Sequence, residues 1–400
     1  MALTRAMRRL QRRLPLELIV NILDCLGLEI DQTSLKACAR VCHSWLPLAR
    51  SILWRDLKID VYRGLQRVQQ LADGSAVVCS YIRTLEFSSP IDEVHAYLVL
   101  KLIEKLPRLR TLKLWVRELT PKSGPSDVQP TLSVDNLTFV PCFSPAVDVT
   151  SFLAHFQCIN NLHVKCMIFS DESSINNLSS LEHLRVTSFT VTSEEAPFIY
   201  KILEPTLHYI ISLTLLYLML RDWESTGLLI HCTAPHLKSL SLELPGCNSR
   251  IPHDLDEIKS FVTSLNLPQC QVLQSLTMML VSKNIRVSTH TINELIIGIL
   301  DRVPTLIQTL TFHLGDLDIC KFACSPLDYP VHWEQWDATF KKLRHLTLVT
   351  FKISTRCDMA FTAWQQFITG KLPGQHSSGQ LQIYPIEPYP LLGHIYNSLR

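Results

Sequence analysis

Glycine is scarce in this chain: 12 residues of 400, where an average protein carries about 7%. Nucleotide-binding and hydrolase folds rely on glycine for close backbone approach in phosphate loops and nucleophile turns, so the shortage argues against both. Charge is thin as well. Charged residues make up 18% and hydrophobic residues 47%, against a usual charged fraction of about 25%. Most of the chain must therefore be buried, which excludes general disorder. Long apolar runs are missing: Ile210 to Leu220 is the longest, carries Ser212 and Thr214, and falls short of the roughly 20 residues of a membrane span. No secretory signal pattern opens the chain, so a soluble intracellular protein, cytoplasmic or nuclear, is expected. There is no G-x-S-x-G, H-E-x-x-H, P-loop or G-x-G-x-x-G. His290 and Glu294 stand at i, i+4, and His332 and Glu334 flank Trp333; neither pair makes a catalytic constellation. The expectation is a protein that is not an enzyme and needs no cofactor.

Cysteine is plentiful but unorganised. The 13 residues include the i, i+4 pairs Cys38–Cys42 and Cys320–Cys324 and a His163-x-x-Cys166 spacing. None has a second pair at zinc-finger distance, so reduced thiols acting as small core residues are expected, and no metal. The formal charge is +2. Arg5, Arg8, Arg9, Arg12 and Arg13 lie in the first thirteen positions with no acid among them, leaving 33 basic against 36 acidic residues downstream. A nearly neutral body lacks the broad basic face that nucleic acid requires. The arginine-rich start reads as a solvated tail, a transit peptide or a nuclear signal.

Leucine, by contrast, fills 65 positions. From Leu14 the chain runs Leu-Pro-Leu-Glu-Leu-Ile-Val-Asn-Ile-Leu. Pro15 suits the first turn of a helix and Glu17 complements its positive end. Leu18, Ile19, Ile22, Leu23 and Leu26 then fall at helical spacing. A second helix through Leu35 to Val41 follows a Thr33 or Ser34 cap, and a third starts near Ser44 with Trp45, Leu48, Ala49, Ile52 and Leu53. Three such helices in about forty residues cannot bury their apolar surface alone, so a leftover patch implies a partner.

The motif Leu14-Pro15-x-Glu17-Leu18-Ile19, then Ile22-Leu23, then Val41-Cys42-x-x-Trp45 resembles an F-box, over residues 14–55. The resemblance implies binding to the Skp adaptor, which hangs substrate receptors on a cullin ubiquitin ligase. It places Leu14, Pro15, Leu18, Ile19, Ile22 and Trp45 at that interface or directly behind it. Leu14, Pro15 and Ile19 are assigned to the interface; for Ile22, Cys38 and Cys42 a role in the helical core fits equally well.

Across residues 56–357 an apolar-x-x-Leu-x-apolar pattern recurs ten times, with central leucines at 85, 112, 137, 162, 184, 213, 240, 276, 310 and 346. The first six spacings, 22 to 29 residues, approach those of leucine-rich repeats, and the last three, 34 to 36, need longer inserts. Helical patterns lie between them, at 94–106, 149–156, 197–209, 223–231, 255–265, 291–303 and 333–342. Residues 118–133, rich in Pro and Gly, read as an exposed loop. The expected fold class is α/β: three F-box helices, then an irregular leucine-rich-repeat solenoid with a curved parallel sheet and outer helices. The Asn or Cys that such repeats place after the strand appears only as Cys142, so irregular curvature is expected. An F-box followed by degenerate repeats is similar to many fungal F-box proteins.

The residues flanking each central leucine point away from the core. Twelve of the twenty are Ser or Thr, a pattern that strand pairing alone can explain. Charges cluster early (Glu86, Lys113, Arg185), while later positions such as Thr309, Thr311 and His345 are neutral. A face with a charged end and a hydroxyl-lined end suits an extended segment of a protein target, with Lys113, Arg185, Thr309, Thr311 and His345 as candidate contacts. Residues 358–400 read as a cap: a helix at 358–369 carrying Phe361, Trp364 and Phe367, a flexible linker at 371–379, and an apolar tail that caps the last repeat or crosses the open face. The resemblance therefore implies a substrate receptor of a Skp–cullin–F-box ligase with an unnamed protein target and no membrane partner. The alternative is a repeat scaffold without a ligase role.

Overall fold

The computed structural model describes residues 16–28, 32–41, 45–59, 62–87, 94–116, 119–120, 131–141, 146–165, 181–192, 196–216, 218, 223–244, 255–281, 289–315, 332–354 and 358–386. The chain divides into two compact units, Met1–Ile159 with Met167–Glu172, and Asn160–Cys166 with Ser173–Arg400. The basic start, Leu14 and Pro15 lie outside the described residues.

The first unit opens with α1 (Leu16–Leu28), α2 (Gln32–Val41) and α3 (Trp45–Leu53), followed by β1 (Asp56–Ile59), α4 (Tyr62–Gly74), α5 (Ala76–Cys79) and β2 (Thr84–Phe87). It continues through β3 (Val94–His95), α6 (Ala96–Glu104), β4 (Thr111–Val116), β5 (Leu119–Thr120), β6 (Leu132–Pro141), α7 (Ala146–Leu153) and the start of β7 (Phe156–Val164). In the second unit come β8 (Arg185–Thr192), α8 (Ala196–Leu203), a 3-10 turn at Glu204–Tyr209, β9 (Ser212–Leu216), α9 (Trp223–Thr233), β10 (Ser239–Leu244) and α10 (Leu255–Ser264). They are followed by β11 (Ser275–Val281), α11 (Thr289–Leu300), β12 (Thr309–Gly315), α12 (Trp333–Lys342), β13 (Leu348–Ser354), α13 (Asp358–Lys371), α14 (Pro373–Ser377) and β14 (Leu381–Ile386). In the first unit β1, β2, β4 and β6 pair in parallel in that order and β3 pairs with β5 separately, and in the second β8 to β14 pair in parallel in sequence order.

Parallel neighbours need a crossover, and here helices supply it. Leu85 stands opposite Leu112, and Leu112 opposite Leu137. In the second unit Leu213, Leu240, Leu276 and Leu310 are successive register partners, each fully buried. Aromatics fill the space beneath. Phe139 stacks on Phe152 at 5.3 Å, and Phe312 lies 5.0 Å from Phe351 and 4.9 Å from Trp336. Fully covered parallel sheets read as continuous apolar runs. These strands instead alternate buried and half-buried positions, as at Thr84–Phe87 and Ser212–Leu216, so one face is not covered by helices.

The register differs from the leucine pattern at two strands. Opposite Leu213 stands Phe189, not Leu184, which precedes β8 in a turn. Opposite Leu310 stands Val349, not Leu346. In both cases the register positions go to buried residues that alternate further along the strand (Phe189 and Val191; Val349, Phe351 and Ile353). Sequence periodicity also overlooks β1, which pairs with β2, and β14, which pairs with β13. Within 118–133, residues 119–120 form β5 and 132–133 open β6, while 121–130 lie outside the described residues. The segment at 371–379 is not a linker: α13 runs to Lys371, Pro373 starts α14, and Leu372 and Gln375 are buried. A proline whose missing N–H is harmless in a first turn favours that short helix. The tail then adds β14 beside β13.

Candidate partner-binding surfaces

The helical start of the first unit has a small core of its own. Ile19 and Leu23 of α1 meet Leu35 of α2 and Ala49 of α3, with Cys38, Ala39, Trp45, Leu48, Ile52 and Leu53 packed around them. Helical geometry then forces Leu18 and Ile22 outward, and they are 48% and 43% exposed. Cys25, the next residue on that stripe, is exposed too. Ile19 lies directly behind this stripe, at 7% exposure. Trp45 is half-buried, and its Nε1 has no hydrogen-bond partner among the described residues.

The open sheet face of the first unit carries a charge ladder. Lys58, Glu86 and Lys113 are register partners on β1, β2 and β4. Glu86 lies 3.8 Å from the Lys58 ammonium and 2.9 Å from that of Lys113. Lys113 is thus held by a neighbouring carboxylate, and Lys58, on a strand too short for periodicity to reveal, completes the ladder. Asn136 donates to the Thr111 hydroxyl at 3.2 Å in the row below.

Two rows of hydroxyls cross the second unit. Ser188, Ser212, Ser239, Ser275 and Thr309 form one, and Thr190, Thr214, Ser241, Thr277, Thr311 and Thr350 the other. Thr309 and Thr311 therefore sit side by side on β12, in different rows. Arg185 begins β8 with its guanidinium over the Tyr209 ring, 5.5 Å from the centroid. His345 lies exposed in the turn before β13 rather than on a strand, because Val349 takes the register position expected for Leu346. Ser188, Thr190 and Thr350 escape the leucine spacing. The alternation of Phe189, Val191, Val349 and Phe351 with polar residues is the pattern that reveals them.

A third outward row runs Glu243, Met279, His313, Lys352, Tyr384. Burial, reinforced by the Lys352 charge, lowers the His313 pKa to about 4. Burial and the neighbouring Lys165 do the same for His163. Burial pushes the Cys270 thiol up to about 11, away from thiolate chemistry. Among the described residues no group of three His, Cys, Asp or Glu side chains could hold a metal ion, and no helix is long and apolar enough to cross a membrane.

The decisive comparison concerns the helical start. Residues 11–60 match the F-box-like family. The match takes in α1, α2, α3 and β1, the helical core and the exposed Leu18–Ile22 stripe. F-box domains typically bind the Skp adaptor of ubiquitin ligases, so the F-box-like segment supports an adaptor-binding role. No curated protein matches the chain.

Proposed function

We propose that this protein is a non-catalytic substrate receptor of a Skp–cullin–F-box ubiquitin ligase, whose F-box-like helices dock on the Skp adaptor and whose sheet surface holds a protein target. The observation that carries the reading is the apolar stripe of α1. Leu18 and Ile22 face solvent on a helix whose opposite side is already buried, within the F-box-like segment. Leucines recurring in parallel register support reading the sheet as an irregular leucine-rich-repeat solenoid with an open face for the target. Such a receptor speeds ubiquitin transfer by proximity, holding the target near the conjugating enzyme on the cullin.

Co-purification of the full chain with the Skp adaptor tests it. Burying a Leu or Ile side chain is worth about 1.5–3 kcal/mol, so the double change Leu18→Asp, Ile22→Asp is expected to weaken adaptor affinity by at least about 100-fold. Thermal melting of the variant should match the parent, because neither side chain belongs to the core. Full adaptor capture by a folded double variant, or no capture by the parent, overturns the assignment.

A further inference from the structure

One basic feature of the first unit lies apart from the α1 stripe. Immediately before β1, β2 and β4 stand Arg55, Arg83 and Arg110. The backbone stacks them directly: the Arg83 amide donates to the Arg55 carbonyl at 2.9 Å and the Arg110 amide to the Arg83 carbonyl at 2.8 Å. Neighbouring strands lie about 4.8 Å apart, so the three arginine backbones span about 10 Å along one rim. The Asn136 amide donates to the Arg110 carbonyl at 2.8 Å, which places Asp135 at the far end of the same row.

Among the described residues the charges on this rim do not balance. Arg55 pairs with Asp56 at 3.0 Å, and Arg110 lies 3.9 Å from Asp135. The guanidinium of Arg83, exposed between two other cations, has no ion-pair or hydrogen-bond partner among the described residues. Like charges placed directly opposite on neighbouring strands repel, so this arrangement leaves one cation uncompensated among the described residues. Arg108, also exposed and unpaired among the described residues, extends the positive surface from the turn before β4. The adjoining ladder adds no carboxylate to spare, since Glu86 is shared between Lys58 and Lys113.

We propose that this arginine rim docks an acidic, carboxylate-bearing segment of a partner protein, one carboxylate seating on Arg83. Among the described residues the rim holds three arginines and two carboxylates, so a single further carboxylate completes it, and a guanidinium donates to one bidentately. Carboxylates are already the anions that Arg55 and Arg110 hold. An extended segment presents every second side chain to one surface, so alternating acidic residues bring the next carboxylate toward Arg108. A continuous phosphate backbone fits poorly, because Asp56, Glu86 and Asp135 share this narrow surface and would repel it. The inference deepens the receptor reading by naming the chemistry of the captured segment, and rests on that reading for the segment belonging to a target.

Fluorescence anisotropy with the full chain tests it, using three labelled twelve-residue peptides of alternating sequence: Glu-Ser, Gln-Ser and phosphoserine-Gln. The Glu-Ser peptide is expected to bind, to weaken steeply with added salt, and to lose about tenfold in affinity with Arg83→Gln, the worth of one charge-assisted pair. Arg110→Gln should weaken binding as well, whereas Arg302→Gln, an exposed arginine of the second unit, should leave it unchanged. Equal binding of the Gln-Ser peptide, or an Arg83→Gln protein that melts normally and binds as the parent does, overturns the proposal. Binding of the phosphoserine peptide alone overturns the carboxylate assignment. No adaptor is present in the assay, so failure here is distinct from failure of adaptor docking.

Discussion

His163 and His313 sit on strands of the second unit with their rings largely withdrawn from water, and burial is the first cause of a pKa near 4 for each. The Nε2 atom of His163 is buried without a hydrogen-bond partner among the described residues, so the neutral ring already carries an unmet polar atom and the charged ring would carry a worse one. An unfolded histidine titrates near 6.5. Between roughly pH 6.5 and 4 the unfolded chain therefore binds more protons than the folded one, and stability falls as pH is lowered through that window. Above it both states are neutral, and below it both are charged, so these two groups add no further slope. His163→Phe, which removes the titrating group and the unmet atom together, is expected to flatten the melting temperature against pH between 6.5 and 4. Melting the parent and the variant in parallel at pH 7, 5.5 and 4.5 checks this, and identical slopes would remove His163 from the account.

Helix packing in the second unit depends on one close approach. A Cβ added to Gly227 in α9 would lie 2.1 Å from the Ser264 carbonyl oxygen at the end of α10, a backbone atom that cannot rotate away. At Gly298 in α11 the nearest atom is a Val262 methyl at 3.3 Å, which can give. Alanine gains about 1 kcal/mol of helix propensity over glycine, so Gly298→Ala should be near neutral or mildly stabilising. Gly227→Ala should cost about 1–3 kcal/mol despite that gain. Urea unfolding midpoints of the two variants decide it, and a Gly227→Ala protein as stable as the parent would refute the close approach. The need for Gly227 is invisible in a single sequence, because the atom it avoids lies 37 residues away on another helix. Helix α12 was legible, since Trp333, Trp336 and Phe340 keep strict helical spacing between clear ends. So was the register of β2, β4, β6 and β9 to β12, because a leucine recurs at the matching position of each. At Leu184 and Leu346 the leucine spacing competes with a better alternating run that starts a few residues later, and only burial beneath the sheet decides between them. The F-box-like helix shows the same limit. Leu18, Ile19, Ile22 and Leu23 form one broad apolar stripe in sequence. Which half turns inward is set by Leu35 and Ala49 on the following helices.

At the scale of the whole chain, the strands of each unit pair in parallel with their neighbours, β1, β2, β4 and β6 in the first and β8 to β14 in the second, so each of these layers depends on the one before it. Cooperativity in such an array spreads through neighbouring contacts rather than through one shared core. The division into two compact units, with the F-box-like helices enclosing their own cluster around Leu23, sharpens that expectation. Leu23→Ala removes a fully buried side chain and should cost about 2–5 kcal/mol. If the helical cluster opens separately, that loss appears as faster amide hydrogen exchange across residues 16–53, whereas β12 and β13, with Leu310 and Phe351 at their centre, keep the protection of the parent. Peptide-resolved exchange read by mass spectrometry separates this from the alternative, in which protection falls everywhere by the same amount and the chain unfolds as a single block. The separate outcome also suits the proposed receptor role, because a target could then be held by the sheet whatever the state of the helices proposed to meet the adaptor.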